Sequence, residues 1–473
     1  MEIAIHECTL AAVGIQYSGN LRTDRESHGR ADRKYQPLLT CSNSIRSDMS
    51  TTSIDELTVM GKAAKKAARQ LSRISGQIKD RALLNISDTL ERCHSKLLVE
   101  NERDCIEARS NGISEALLDR LQLTEARIKD IAAGVRNVAA LPDPVGENID
   151  MTTLPNGLVA GRRRVPLGVI GSIYESRPNV TIDIAILALK AGNACILRGG
   201  KESLHSNIAL SSLVRQAIAD AGIPPDAVQY VDNPNRSLID AMLEMKEYID
   251  LLIPRGGSGL IKLVQERATM PAVTGGIGVC HTYVDKGANL EKAASIVYNA
   301  KVRRPSICNA LDTVLVHSDL AAQFLPIMAK ELAKASVESH CDHQALSILG
   351  PGTGHNAILA VEDDWGKEFL SLTAAIKVVG SLDEALEHIE TYGSGHSEAI
   401  VTEDYSAAMR FLDEADAAAV YVNASTQFTD GGQFGMGAEV GISTQKFHAR
   451  GPMGLRELTS YKWVIMGNGH VRL

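Results

Sequence analysis

Between residues 165 and 253 short β-branched runs alternate with helical stretches, and no other feature restricts the fold of this chain as tightly. The pattern predicts strands over 165–173, 194–197, 228–231 and 249–253. Helices are expected over 180–191, 204–221 and near 235–247, the first two closed by Gly192 and Gly222. Such a succession makes a parallel sheet covered by helices, with right-handed crossovers. Ligands on these sheets bind at the carboxyl ends of the strands. Three polar, glycine-bearing segments fall there: Gly171 to Asn179, Arg198-Gly-Gly-Lys-Glu-Ser203 and Arg255-Gly-Gly-Ser-Gly259. Neither GxGxxG nor GxxxxGK[ST] occurs, which disfavours a P-loop kinase. The run 198–203 still offers backbone N–H groups, a hydroxyl and two cations beside a helix start. That composition suits a phosphorylated ligand; the alternative is a glycine-rich turn with solvated cations.

Ahead of this region, helical periodicity covers 53–75, 78–110 (with an interruption) and 113–139. Ser53 and Glu56 have the spacing of a capping box. Asn156-Gly157, between extended runs at 151–154 and 158–165, signals a hairpin. Residues 1–52 are different: polar, highly charged over 20–35 and without sustained periodicity. They are expected to be a disordered extension, or translation truly starts at Met49 and residues 1–48 are absent from the natural protein.

With 473 residues the chain has room for two or three domains with sizeable cores. A net charge of −8 leaves no global basic field to draw it to nucleic acid or an anionic membrane. No apolar run reaches the roughly 18 residues of a membrane span. The eight cysteines show no CxxC pair and no dense framework, which suits a reducing, cytoplasmic compartment. Cys341-Asp-His343 supplies two ligands at most, so no metal is expected.

Cys308 lies in Lys301-Val-Arg-Arg-Pro-Ser-Ile-Cys-Asn-Ala310, between a helix expected over 290–300 and a strand expected over 311–317. Arg303 and Arg304 are within five residues of it. Cationic neighbours favour the thiolate, the form that attacks carbonyl carbon. Taken alone, a cysteine is more often simply a small buried hydrophobe.

Five segments in chain order resemble the aldehyde dehydrogenase superfamily and, within it, the γ-glutamyl phosphate reductase family. They are Val165-Pro-Leu-Gly-Val-Ile-Gly-Ser-Ile-Tyr-Glu-Ser-Arg-Pro-Asn-Val180, Ile196-Leu-Arg-Gly-Gly-Lys-Glu-Ser203, Ile253-Pro-Arg-Gly-Gly-Ser258, residues 302–309, and Phe434-Gly-Met-Gly-Ala-Glu-Val-Gly-Ile-Ser-Thr-Gln-Lys446 running into His448-Ala-Arg-Gly-Pro-Met-Gly454. The resemblance covers 53–473. It implies an α/β, aldehyde dehydrogenase-like fold with a Rossmann-type cofactor domain (53–146 and 166–272) and an α/β catalytic domain (273–447). A small β-flap (147–165 and 448–473) is implied for oligomerisation, so a homo-oligomer is expected.

The same resemblance implies reduction of L-glutamyl 5-phosphate to L-glutamate 5-semialdehyde and phosphate, in proline biosynthesis from glutamate, with NADPH/NADP+ as cofactor. Cys308 would attack the acyl phosphate, phosphate would leave a thioester, and hydride would resolve it. Asn179 matches the superfamily's oxyanion asparagine, beside the Cys308 backbone N–H; its alternative role is a helix N-cap. Arg198 occupies the place of a ribose-binding lysine. Lys201 adds a second cation suited to a 2′-phosphate, beside Gly200 in the same loop. Gly257 and Ser258 match the pair that starts a helix beside the pyrophosphate. Glu368 is a candidate for the nicotinamide ribose or a plain surface carboxylate.

Arg177, Arg303, Arg304 and Ser306 are candidates for the anionic groups of the substrate. At least one of the arginines is expected in a structural ion pair. The loop Gln427-Phe-Thr-Asp-Gly-Gly432 is a candidate for the amino-acid end. Hydrolytic members of the superfamily carry Glu-Leu-Gly-Gly, whose carboxylate activates water; here the run is Val273-Thr-Gly-Gly276. A thioester resolved by hydride or phosphate rather than water follows. The alternatives are a CoA-acylating semialdehyde dehydrogenase and a non-catalytic homologue serving glutamate 5-kinase as a scaffold. A transient contact with that kinase is also expected of the reductase, because an acyl phosphate is labile.

Overall fold

The alternating middle of the chain forms a four-stranded, all-parallel sheet in a computed structural model that describes residues 53–275, 277–350 and 356–472. The expectations for residues 1–52 lie outside the described residues, as does Gly276. The strand order is Val228–Tyr230, Ala194–Arg198, Val169–Tyr174, Leu251–Arg255. The chain steps outward twice from Val169–Tyr174 and then returns to its other side. That reversal opens a crevice at the carboxyl ends of Val169–Tyr174 and Leu251–Arg255. Both Val169–Tyr174 and Ala194–Arg198 are buried at every position, as strands covered on both faces must be.

One expected strand is in fact two. The run 165–173 divides into Val159–Pro166 and Val169–Tyr174, which belong to different sheets. Pro166 has no N–H to continue a ladder. Gly168 then takes φ +131°, and a side chain there would overlap the Asp250 carboxylate.

Ser53 and Glu56 do form the capping box of the helix Ile54–Leu71. The interruption expected in 78–110 falls at Cys93, between helices Gly76–Arg92 and His94–Ser110. The stretch 113–139 also breaks, into Glu115–Leu121 and Glu125–Ala140. Buried Asn101 causes that break: its amide donates to Leu121 O at 2.9 Å and accepts Leu123 N at 2.7 Å, and Thr124 caps the next helix.

The hairpin at Asn156-Gly157 joins Asn148–Thr153 to Val159–Pro166, with Gly157 at φ +86°. Thr459–Met466 pairs antiparallel along the other side of Val159–Pro166 and forms an edge. Residues between 280 and 422 build a seven-stranded parallel sheet. Its central strand, Leu311–His317, is fully buried between Thr373–Val379 and Cys280–Val284.

Two buried lysines bind the helical cover together. Lys79 Nζ meets Asp143 at 2.5 Å and the Lys190 carbonyl at 3.1 Å; Lys190 Nζ meets Asp80 and, at 2.7 Å, the Ala139 carbonyl. Buried Asn193 connects the four-stranded sheet to the C-terminal segment, accepting Gly168 N at 2.8 Å and donating to Leu458 O at 2.8 Å. Asn193→Ala should therefore destabilise the protein by about 2–4 kcal/mol in urea unfolding, since two backbone groups lose their partners.

Candidate active site

Cys308 sits half-buried in an irregular turn between the helix Leu290–Val302 and the strand Leu311–His317, the junction expected from sequence. The turn is gripped from three sides. Gly278 packs against the Cys308 carbonyl so closely that any side chain would overlap its oxygen. The Cys280 thiol donates to the same oxygen at 3.3 Å. Asn309 donates to Thr429 O at 2.9 Å, while Thr426 Oγ1 donates to Asn309 O at 2.8 Å.

Gln427 completes the grip. Its side-chain nitrogen reaches the carbonyls of Ala300 and Arg304, at 2.9 and 3.3 Å, and its oxygen accepts Arg303 Nη1 at 3.0 Å. This part of the loop faces inward and holds the Cys308 turn, so the Gln427 side chain is taken out of the amino-acid-binding role expected for it. The expected ion pair is also corrected. Among the described residues none of Arg177, Arg303 and Arg304 is in a salt bridge, and Arg303 is held by a neutral amide. All three are exposed, as is Ser306.

The cation that acts on the thiol comes from elsewhere. Burial pushes Cys308 up to about 11; the Arg255 guanidinium pulls it down, and the carboxylates of Glu368 and Glu439 push it further up. A thiol of that pKa is ionised in only about one molecule in 10⁴ at pH 7. Arg255 ends the strand Leu251–Arg255, and a side chain at Gly441 would meet its Nη1 at 2.6 Å. Its role, and that of Glu439, were not visible in the sequence around Cys308, because both arrive from distant segments.

Asn179 begins the helix Asn179–Lys190; the cap position is Pro178, so the capping alternative does not hold. Its amide nitrogen instead donates to Asp183 Oδ2 at 2.9 Å, one turn along the same face. Burial raises Asp183 to about 6, opposed by that hydrogen bond and by Arg255. Arg177 lies in the same electrostatic neighbourhood as Arg255, Arg304 and the Cys308 thiol. Glu368 is half-buried and accepts Gly278 N at 3.0 Å, which places it beside the Cys308 turn rather than on open surface. In the run Val273-Thr-Gly, Thr274 Oγ1 accepts from Gln265 and Gln445 at 2.9 and 3.0 Å, a neutral environment.

The other candidates gather at the switch-point crevice. Arg198 is buried at the end of its strand; Nη2 donates to Pro234 O at 2.8 Å, and Nε has no partner among the described residues. Gly200 packs against the Glu202 carboxylate, and Lys201 is exposed. Ser258 starts the helix Ser258–Arg267, and Gly257 N donates to Glu175 Oε2 at 2.8 Å. A carboxylate thus rests on the helix start, a position that favours anions, and Arg198 Nε is an unfilled donor among the described residues.

Fold and comparisons together define an α/β enzyme of the aldehyde dehydrogenase class. A sequence model of the aldehyde dehydrogenase family matches residues 35–363, and the chain belongs to that family, which uses nicotinamide cofactors. Particular relatives are closer. A gamma-glutamyl phosphate reductase of Dehalococcoides mccartyi is 57% identical over 417 residues, covering 88% of this chain and 98% of its own. One of Escherichia coli is 52% identical over 417 residues, covering 88% of this chain and all of its own. The crystal structure of gamma-glutamyl phosphate reductase from Thermotoga maritima superposes with a TM-score of 0.86 at 48% identity, covering 89% of this chain and 100% of that one.

The charges around Cys308 predict its reactivity. Alkylation by iodoacetamide should accelerate with pH up to about 11. Removing a nearby cation disfavours the thiolate, so Arg255→Gln should move the midpoint up; removing an anion has the opposite sign, so Glu439→Gln should move it down.

Proposed function

We infer that this protein reduces L-glutamyl 5-phosphate to L-glutamate 5-semialdehyde and phosphate, in proline biosynthesis from glutamate. The observation that carries this reading is the 57% identity extending over 98% of a gamma-glutamyl phosphate reductase. We assign the nucleophile to Cys308, the cofactor domain to 53–146 and 166–272, the catalytic domain to 273–447 and the flap to 147–165 with 448–473.

The chemistry follows from the site. The Cys308 sulfur adds to the acyl carbon and the carbon–oxygen bond to phosphate breaks, leaving a thioester and inorganic phosphate. The thiol proton leaves with the departing phosphate, whose oxygens are bases, and Arg255 is the group that favours the thiolate. A primary amide has two N–H bonds. Asn179 spends one on Asp183, which orients the other for the oxyanion of each tetrahedral intermediate, with the Cys308 N–H as the second donor. A nicotinamide cofactor, when bound, would supply the hydride that takes the acyl group to the aldehyde level, the carbon–sulfur bond breaking to return the Cys308 sulfur. Thr274 and its glutamine partners offer no base to activate water, while Glu368 and Glu439 are each tied to a backbone amide. The thioester is thereby spared hydrolysis.

NADPH is the preferred cofactor in this reading, because Arg198 and Lys201 suit a 2′-phosphate; Gly200, Gly257 and Ser258 would line the phosphates and Glu368 the nicotinamide ribose. Arg177, Arg304 and Ser306 would meet the anionic groups of the substrate, with Arg303 beside them. Among the described residues no helix is long and apolar enough to cross a membrane, and a cytoplasmic enzyme is proposed. A homo-oligomer is proposed through the edge strand Thr459–Met466, where Tyr461, Trp463 and Ile465 are at least half exposed. A transient contact with glutamate 5-kinase remains part of the proposal.

Purified protein given glutamate 5-semialdehyde and NADP+ should reduce the cofactor only when phosphate is present; dependence on CoA instead would refute the reading. Cys308→Ala should lower turnover by more than about 10³-fold while the circular dichroism spectrum is retained. Trp463→Glu should lower the molar mass measured by light scattering behind size exclusion, and an unchanged assembly would remove the flap from the interface.

A further inference from the structure

The sheet switch point holds a contact that the reaction does not require. Gly257 N–H, at the start of the ten-residue helix Ser258–Arg267, donates to Glu175 Oε2 at 2.8 Å. A side chain at Gly256 would meet that same oxygen at 2.5 Å, so the carboxylate lies in the space these glycines leave open. Helix starts carry unsatisfied N–H groups and partial positive charge, which is why phosphates settle on them. Here the chain's own anion has settled first.

The segment that carries Glu175 is built to hold this position. Glu175 N donates to Arg255 O at 3.0 Å, anchoring its base between the two central strands. Ser176 follows at φ +46°, a left-handed conformation uncommon for a residue with a side chain. Both its N–H and its hydroxyl donate to Glu202 Oε1 at 2.7 Å, and Glu202 in turn packs against Gly200. One short loop is therefore bridged to both cofactor loops through carboxylates. Arg177 and Asn179 follow immediately on the side of Cys308. Glu175 is exposed, so its side chain has solvent to swing into.

We propose that Glu175 is a built-in competitor for the anion site at the start of Ser258–Arg267: it caps the helix in the free enzyme and is displaced by the cofactor's pyrophosphate. The proposal rests on the placement of the pyrophosphate at Gly257 and Ser258 given above. Its use lies in selectivity. The reaction releases inorganic phosphate, and a bare helix start would bind it. A tethered carboxylate outcompetes a single weakly held phosphate but yields to a dinucleotide that is held along its whole length.

The test measures the NADPH dissociation constant by fluorescence for the wild type, Glu175→Gln and Ser258→Glu. Glu175→Gln removes the competing charge and should tighten NADPH binding about three- to tenfold, since less of the free enzyme is blocked. Its cofactor-free form should melt at lower temperature than the wild type, because a helix cap is weakened. Added inorganic phosphate should compete with NADPH strongly in Glu175→Gln and weakly in the wild type. Ser258→Glu should weaken NADPH binding. Should Ser258→Glu have no effect, the pyrophosphate placement is wrong and the proposal falls with it. If Ser258→Glu weakens binding but Glu175→Gln leaves it unchanged or weaker, the competitor role alone is overturned.

Discussion

The peptide at Cys308 is the point on which the site depends. Its carbonyl is pressed by Gly278 and bonded by the Cys280 thiol, and the next residue is held through Asn309 to Thr426 and Thr429. These partners come from the start of one strand and from the loop after another. A thiol on an irregular turn would otherwise sample many orientations, and the nucleophilic role proposed for Cys308 requires one. Glycine at 278 is needed for closeness: the backbone of the Cys280–Val284 approach can touch the turn only where no side chain intervenes.

A second constraint is electrostatic. Cys308 is buried enough to hold its proton, and the surrounding groups divide in sign between Arg255 on one hand and Glu368 and Glu439 on the other. Both carboxylates are anchored by main-chain N–H groups, Gly278 for Glu368 and Gly431 for Glu439. Asp312 ties the same region together, accepting Phe369 N at 3.0 Å and Cys280 N at 3.4 Å from the strand that follows the nucleophile. The site is thus a balance of charges delivered by one strand end and two distant loops rather than by the arginines next to the cysteine in sequence.

Much of this was legible beforehand. The parallel sheet, the hairpin at Asn156-Gly157, the capping box at Ser53 and the junction around Cys308 all follow from local periodicity and turn chemistry. The places where that reading failed have a common cause. The strand across 165–173 looked continuous because Leu167 and Val169 continue an apolar pattern, yet Pro166 and Gly168 send the chain into another sheet. The helix across 113–139 broke because Asn101, from a different helix, captured the backbone around Leu123. Gln427 looked like a polar loop residue available to substrate, and its amide was consumed inside the fold.

By itself the sequence determined the α/β class and the succession of strands and loops, and it singled out Cys308 as the candidate thiol, since these depend on residue spacing and on chemistry carried by single side chains. Only the tertiary structure decided which charges surround that thiol, what Asn179 bonds to, and that Glu175 occupies the helix start at Gly257. Each of those is a contact between residues far apart in the chain. Electrostatic and hydrogen-bond energies depend on distance in space, and spacing along the sequence carries no information about it until the sheets have brought their ends together.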